Sequence, residues 1–135
     1  MTEAIVAHKL TKAYGRRRAL DGVSFDVPEG AFVSIFGPNG AGKSTLLRTL
    51  ATLTKPTGGT ATIHGFDIKE DPDRVRGSIG MISPRPMLYP DLTAFENLMF
   101  VARLYGIDDA EAQVRTMLAA VELDHRRFDA ARTFS

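Results

Sequence analysis

The sequence contains no cysteine, which excludes disulfide staples and thiolate metal sites and fits a reducing cytoplasm. It carries no excess of charge of either sign: 17 Lys and Arg stand against 16 Asp and Glu, a formal net charge of +1. Such a balance provides no long-range field to attract nucleic acid or an acidic membrane. No apolar run approaches the roughly 18 to 20 residues needed to span a bilayer. The opening residues Met1-Thr2-Glu3-Ala4 lack the basic and apolar regions of a secretory signal. A cytoplasmic protein is therefore expected. Histidine is sparse, and His8, His64 and His125 have no ligand-spaced partners, so no metal site is expected from them. What remains is 135 residues, 44% of them hydrophobic, enough for one domain with a real core.

Strand signals dominate the first part of the chain and helix signals the rest. Ile5-Val6-Ala7, then Ala19-Leu20 with Val23, Phe25 and Val27 at alternate positions, then Ala31 to Phe36, predict three strands. The second alternates like a half-solvated antiparallel strand. The third is almost continuously apolar, the pattern of a parallel strand buried on both faces. A helix is predicted from Ser44 to Leu53, ended by Lys55-Pro56, and a further strand over Thr60 to Ile63. Asp71-Pro72 signals a capped short helix, and Ile79-Gly80-Met81-Ile82 another strand. Thr93 with Glu96 predicts a capping box opening an amphipathic helix, and Asp108 to Glu111 repeats the start signal for a last one.

The chemistry lies in Gly37-Pro38-Asn39-Gly40-Ala41-Gly42-Lys43-Ser44-Thr45, which fits the phosphate-loop pattern G-x-x-x-x-G-K-[ST] between a predicted strand and a predicted helix. Glycines let successive N–H groups turn inward as an anion nest, and the helix N-terminus adds partial positive charge. Lys43 supplies an ammonium for the β- and γ-phosphates. The Ser44 hydroxyl supplies a hard oxygen ligand for Mg²⁺. Arg16-Arg17-Arg18 reads as a solvated basic turn in a nearly neutral chain rather than a nucleic-acid contact. Met81, Met87, Met99 and Met117 follow no common stripe and read as packing residues.

The loop's wording, with Leu46-Leu47 after it, resembles the ATP-binding domains of ABC transporters rather than phosphate-loop proteins in general. Leu20 to Phe25, Pro56 to Thr60, Leu88 to Thr93 and Glu96-Asn97-Leu98 agree, so the resemblance covers essentially the whole chain. It implies an α/β fold of ABC type: a mixed sheet with an antiparallel β subdomain and phosphate-loop core over residues 1–83, and the start of a helical subdomain over 84–135. Together these are part of a nucleotide-binding domain that takes ATP and Mg²⁺. Tyr14 stands where the family places an aromatic ring that stacks on adenine; on the residues alone, a tyrosine beside a glycine reads as strand-end packing. The partners implied are a second nucleotide-binding subunit, in a head-to-tail dimer, and a membrane-spanning transporter subunit that holds the protein to the inner face of the cell membrane. Nucleic acid is not among them.

Two departures from the family pattern stand out. The glutamine that helps hold Mg²⁺ and the attacking water falls, by spacing, at Pro84, which has no side-chain donor or acceptor; the neighbouring Arg85 reads as a surface residue. Phe134-Ser135 resemble the start of the family's signature motif, and the sequence stops there. No catalytic set is thus complete in these 135 residues, and the polypeptide alone is expected not to hydrolyse ATP. Leu53 to Thr57 and Ser83 to Asn97 are similar to exporter ATPases, so the expected function is ATP-Mg binding as part of an ATPase that powers transmembrane export. Two alternatives stay open: a nonenzymatic nucleotide-binding fragment, and a soluble ABC-type ATPase of DNA repair or translation.

Overall fold

A computed structural model describes residues 2–134. Met1, and Ser135 with its likeness to the signature motif, lie outside the described residues. The chain divides into two compact units, one running to Met81 and one beginning at Ile82.

The first unit is built on a long hairpin, β1 (Glu3–Tyr14) and β2 (Arg17–Pro28), extended by β3 (Gly58–Ile63) and the short β4 (Phe66–Asp67). The sheet order is β2-β1-β3-β4, every pair antiparallel. The helices of this unit are α1 (Lys43–Leu50) and α2 (Pro72–Ser78). β1 runs seven residues past the predicted Ile5–Ala7, and a bulge explains why. Ala7 and Leu10 are both buried although three positions apart, because Lys9 takes a φ of 49° and shifts the register. An extra residue of this kind breaks the period of two on which strand reading depends. The bulge also fixes Gly59, at φ +72°, where an added Cβ would lie 2.2 Å from the Lys9 carbonyl oxygen. Only glycine fits there.

Ala7, Leu10 and Leu20 from the hairpin, Ala61 and Ile63 from β3, and Leu46 and Leu50 from α1 make the core, closed by Ile68 and Val75. α1 ends at Leu50 rather than Leu53, since Thr52 adopts a φ of 60° and Leu53 N–H returns to the Arg48 carbonyl at 2.9 Å. Pro72 opens α2 as expected, but the Asp71 side chain makes no capping bond.

Two predicted strands are not strands. Ala31 to Phe36 runs without a sheet partner, with Phe32 95% and Phe36 90% exposed, and Ile79 to Ile82 is likewise irregular. A strand is defined by the ladder on its flanks, and among the described residues nothing pairs with either segment. The antiparallel part of the expected sheet is formed; its parallel part is not.

The second unit pairs α3 (Ala94–Leu104) with α4 (Ala110–Ala120) around Ala102, Val114 and Leu118. The capping box forms as predicted: Thr93 N–H donates to Glu96 Oε2 at 2.8 Å and Glu96 N–H to Thr93 Oγ1 at 3.1 Å. The repeat of that signal at Asp108 to Glu111 does not close a box, because Asp109 caps α4 in a left-handed conformation without a side-chain bond. No helix among the described residues is long and apolar enough to cross a membrane.

Candidate functional site

The phosphate loop leads into α1, whose N-cap is Gly42 at φ 99°. A Cβ at this position would sit 2.2 Å from the carbonyl oxygen of Ala19 in β2, so glycine is required twice, by the turn and by the close approach of the loop to the hairpin. Gly40, at φ +83°, supplies a second left-handed turn in the loop. No side chain caps α1, and no acidic residue lies in its first turn. The first N–H groups of a helix have no intrahelical acceptor, so Lys43, Ser44 and Thr45 present donors and a partial positive charge suited to an anion.

Lys43 is half-buried, and its Nζ donates to the Gly37 carbonyl at 2.6 Å and to the Pro38 carbonyl at 2.8 Å. The Ala41 N–H donates to the Pro38 carbonyl at 3.1 Å. Gly37, Pro38 and Ala41 thus act through the backbone, closing the loop and holding the ammonium.

A cavity of about 440 Å³ opens over this loop. Asn39, Gly40, Gly42, Lys43, Ser44 and Thr45 line it from the loop and α1, and Tyr14, Arg17 and Ala19 from the hairpin. Tyr14 and the loop, 23 or more residues apart in sequence, therefore share one opening. Tyr14 is half exposed, and the Lys12 ammonium lies 5.0 Å from its ring centroid. The donor set fits a nucleotide: an exposed aromatic ring for a base, an amide nest and an ammonium for phosphates, and a serine hydroxyl for Mg²⁺. Ser44 is the one protein oxygen the sequence assigned to the metal, in keeping with the preference of Mg²⁺ for few protein ligands alongside phosphate and water oxygens.

Arg17 corrects the sequence reading. Its guanidinium lines the cavity and donates to the Gly40 carbonyl at 3.4 Å, so it is not merely part of a solvated basic turn. Arg18 keeps that character, paired with Asp21 at 2.7 Å on the surface. Only the pairing of Tyr14 with Arg17 across the hairpin end signals this position, and that register is not visible in composition. Pro84 and Arg85 are exposed in an irregular segment of the second unit.

An antiparallel hairpin seated against a glycine loop at a helix N-terminus defines a phosphate-loop domain of the α/β class. The chain belongs to the ABC transporter family: the sequence profile described as ABC transporter matches residues 20–135. It is 45% identical over 114 residues to the daunorubicin/doxorubicin resistance ATP-binding protein DrrA of Streptomyces peucetius, covering 84% of this chain and 34% of that protein. It is 42% identical over 125 residues to the sulfate/thiosulfate import ATP-binding protein CysA of Mycobacterium bovis, covering 91% of this chain and 35% of that one. Among solved structures, an ATP-binding subunit of an ABC transporter superposes with a TM-score of 0.82 at 31% identity, over 98% of this chain and 56% of that chain. The chain thus spans roughly a third of the length of these two curated relatives.

Proposed function

We propose that the chain binds ATP with Mg²⁺ as part of an ABC-transporter ATPase that powers transmembrane export. The observation that carries this reading is the single cavity in which the Tyr14 ring and the Gly37–Thr45 loop meet. In it Tyr14 stacks on the base. The amide nest and Lys43 hold the phosphates, and the Ser44 hydroxyl, with phosphate oxygens, holds Mg²⁺, which neutralises phosphate charge when bound. Export is supported by the likeness to a drug-resistance ATP-binding protein. Import is the second reading, favoured by the comparable likeness to CysA, an import ATP-binding protein. On either reading the protein works in the cytoplasm, on the inner face of the membrane, with a second nucleotide-binding subunit and a membrane-spanning partner. Residues 1–83 and 84–135 are its β and helical parts.

The 135-residue polypeptide is a binder rather than a hydrolase. Among the described residues no carboxylate lines the cavity, so neither a general base for water nor an acidic partner for the metal is at hand. Calorimetric titration with ATP should give saturable binding that strengthens when Mg²⁺ is added, while phosphate release stays at background. Failure to bind would overturn the reading of the site; Lys43-dependent phosphate release would overturn the restriction to binding.

The role of Tyr14 separates from that of the loop by choice of ligand. Tyr14→Ala should weaken ATP by about five- to 150-fold, since stacking a base on an aromatic ring is worth roughly 1 to 3 kcal/mol. Inorganic tripolyphosphate, which has no base, should bind as before. Equal weakening of both ligands would assign Tyr14 to packing.

A further inference from the structure

We propose that Arg17 is a second phosphate-binding cation of this site, reaching the polyphosphate from the hairpin rather than from the loop. The inference rests on the nucleotide-binding reading above and names a residue that the phosphate-loop pattern does not contain.

Tyr14 and Arg17 close the hairpin across the two-residue turn Gly15-Arg16 and are register partners. Directly opposed residues of an antiparallel pair project to the same face, their Cβ atoms about 5 Å apart. The ring and the guanidinium are therefore delivered together, and both line the cavity. Their reach differs. The Arg17 Nη2 lies 3.4 Å from the carbonyl oxygen of Gly40, in the middle of the loop, which places its charge over the phosphate-binding segment rather than the base.

The chemistry suits that place. A guanidinium carries five N–H donors in a planar fork that matches two phosphate oxygens at once. One long bond to Gly40 uses a single donor, and among the described residues Arg17 forms no ion pair, whereas its neighbour Arg18 is bound to Asp21. The loop alone offers one cationic side chain, Lys43. Because Arg17 is exposed, solvent screens its contact, and the expected effect is about three- to tenfold in affinity, below that of Lys43.

The test titrates the full chain and its R17A, R17Q, R17K and K43A variants with MgATP and with inorganic tripolyphosphate. R17A and R17Q should weaken both ligands by a similar factor of about three to ten, with R17K between them and wild type. Glutamine keeps a neutral donor on a shorter stem and removes the charge. If R17Q binds like wild type while R17A is weak, Arg17 only clamps the loop and the proposal fails. Loss of ATP affinity with tripolyphosphate unchanged would move Arg17 to the base or sugar and overturn it equally. If K43A loses binding while every Arg17 variant matches wild type, the site stands without Arg17. If wild type binds neither ligand, the nucleotide reading and this one fall together.

Discussion

Lys43→Ala should lower the affinity for MgATP at least tenfold, and by up to about a hundredfold. A charge-assisted hydrogen bond is worth roughly 1.5 to 3 kcal/mol, and each 1.4 kcal/mol is a factor of ten. Two losses add here. The variant has no ammonium for the phosphates, and it also releases the Gly37 and Pro38 carbonyls that Lys43 now ties at 2.6 and 2.8 Å. Among the described residues segment 31–36 has no sheet partner to steady the approach to the loop, so the lysine is one of few groups holding its shape. Titration of both proteins with MgATP and with tripolyphosphate measures the effect, and the two ligands should suffer alike. Superimposable isotherms for wild type and variant would remove Lys43 from the site.

The second large effect concerns stability and falls in the helical unit. Asn97 is buried to 3% exposure and serves four backbone groups. Its Oδ1 accepts from Tyr89 N–H at 2.8 Å, and the two N–H groups of its Nδ2 are directed at the carbonyls of Tyr89 at 3.0 Å and Thr93 at 3.0 Å, with Leu92 at 3.3 Å sharing one of them. One amide thus fastens the irregular segment from Tyr89 to Leu92 onto the first turn of α3. Asn97→Leu keeps the branched side-chain skeleton, replaces the amide with two bulkier methyls, and removes every partner. A buried polar group left unsatisfied costs about 1 to 3 kcal/mol, so an overall loss of about 3 to 5 kcal/mol is expected, at the high end for a single substitution. Hydrogen exchange at the Tyr89 amide and a denaturant melt of the variant should both report it. A melt within about 0.5 kcal/mol of wild type, the range of neutral surface changes, would show that the segment is held by other contacts.

What the sequence made legible, and what it hid, follows from where each cause resides. The capping box at Thr93 and Glu96 was readable because both partners lie within one turn. The phosphate loop was readable because its chemistry demands glycine, lysine and a hydroxyl at set spacing, whatever the surroundings. The continuation of β1 was hidden by Lys9, whose positive φ moves the inward position from residue 9 to residue 10. Ala31 to Phe36 was overread for the opposite reason: an apolar run records a preference for a doubly buried strand, but pairing requires neighbours that no local pattern supplies. Arg17 was hidden because its meaning depends on Gly40, 23 residues away, and on a hairpin register that only the folded chain reveals. Asn97 lies in a stretch whose likeness to the family shows in the sequence, yet its contacts with four backbone groups arise from a turn that brings residues 89 to 93 back over the helix.

The lysine of the loop carries one more consequence. Two of its three ammonium protons are already engaged by the Gly37 and Pro38 carbonyls. A free lysine side chain gives up rotamer freedom worth up to about 2 kcal/mol when it is immobilised. Here that freedom is surrendered when the loop folds, so an arriving phosphate meets a side chain already narrowed to a few conformers. The entropic penalty belongs to the stability of the domain and is largely absent from the dissociation constant.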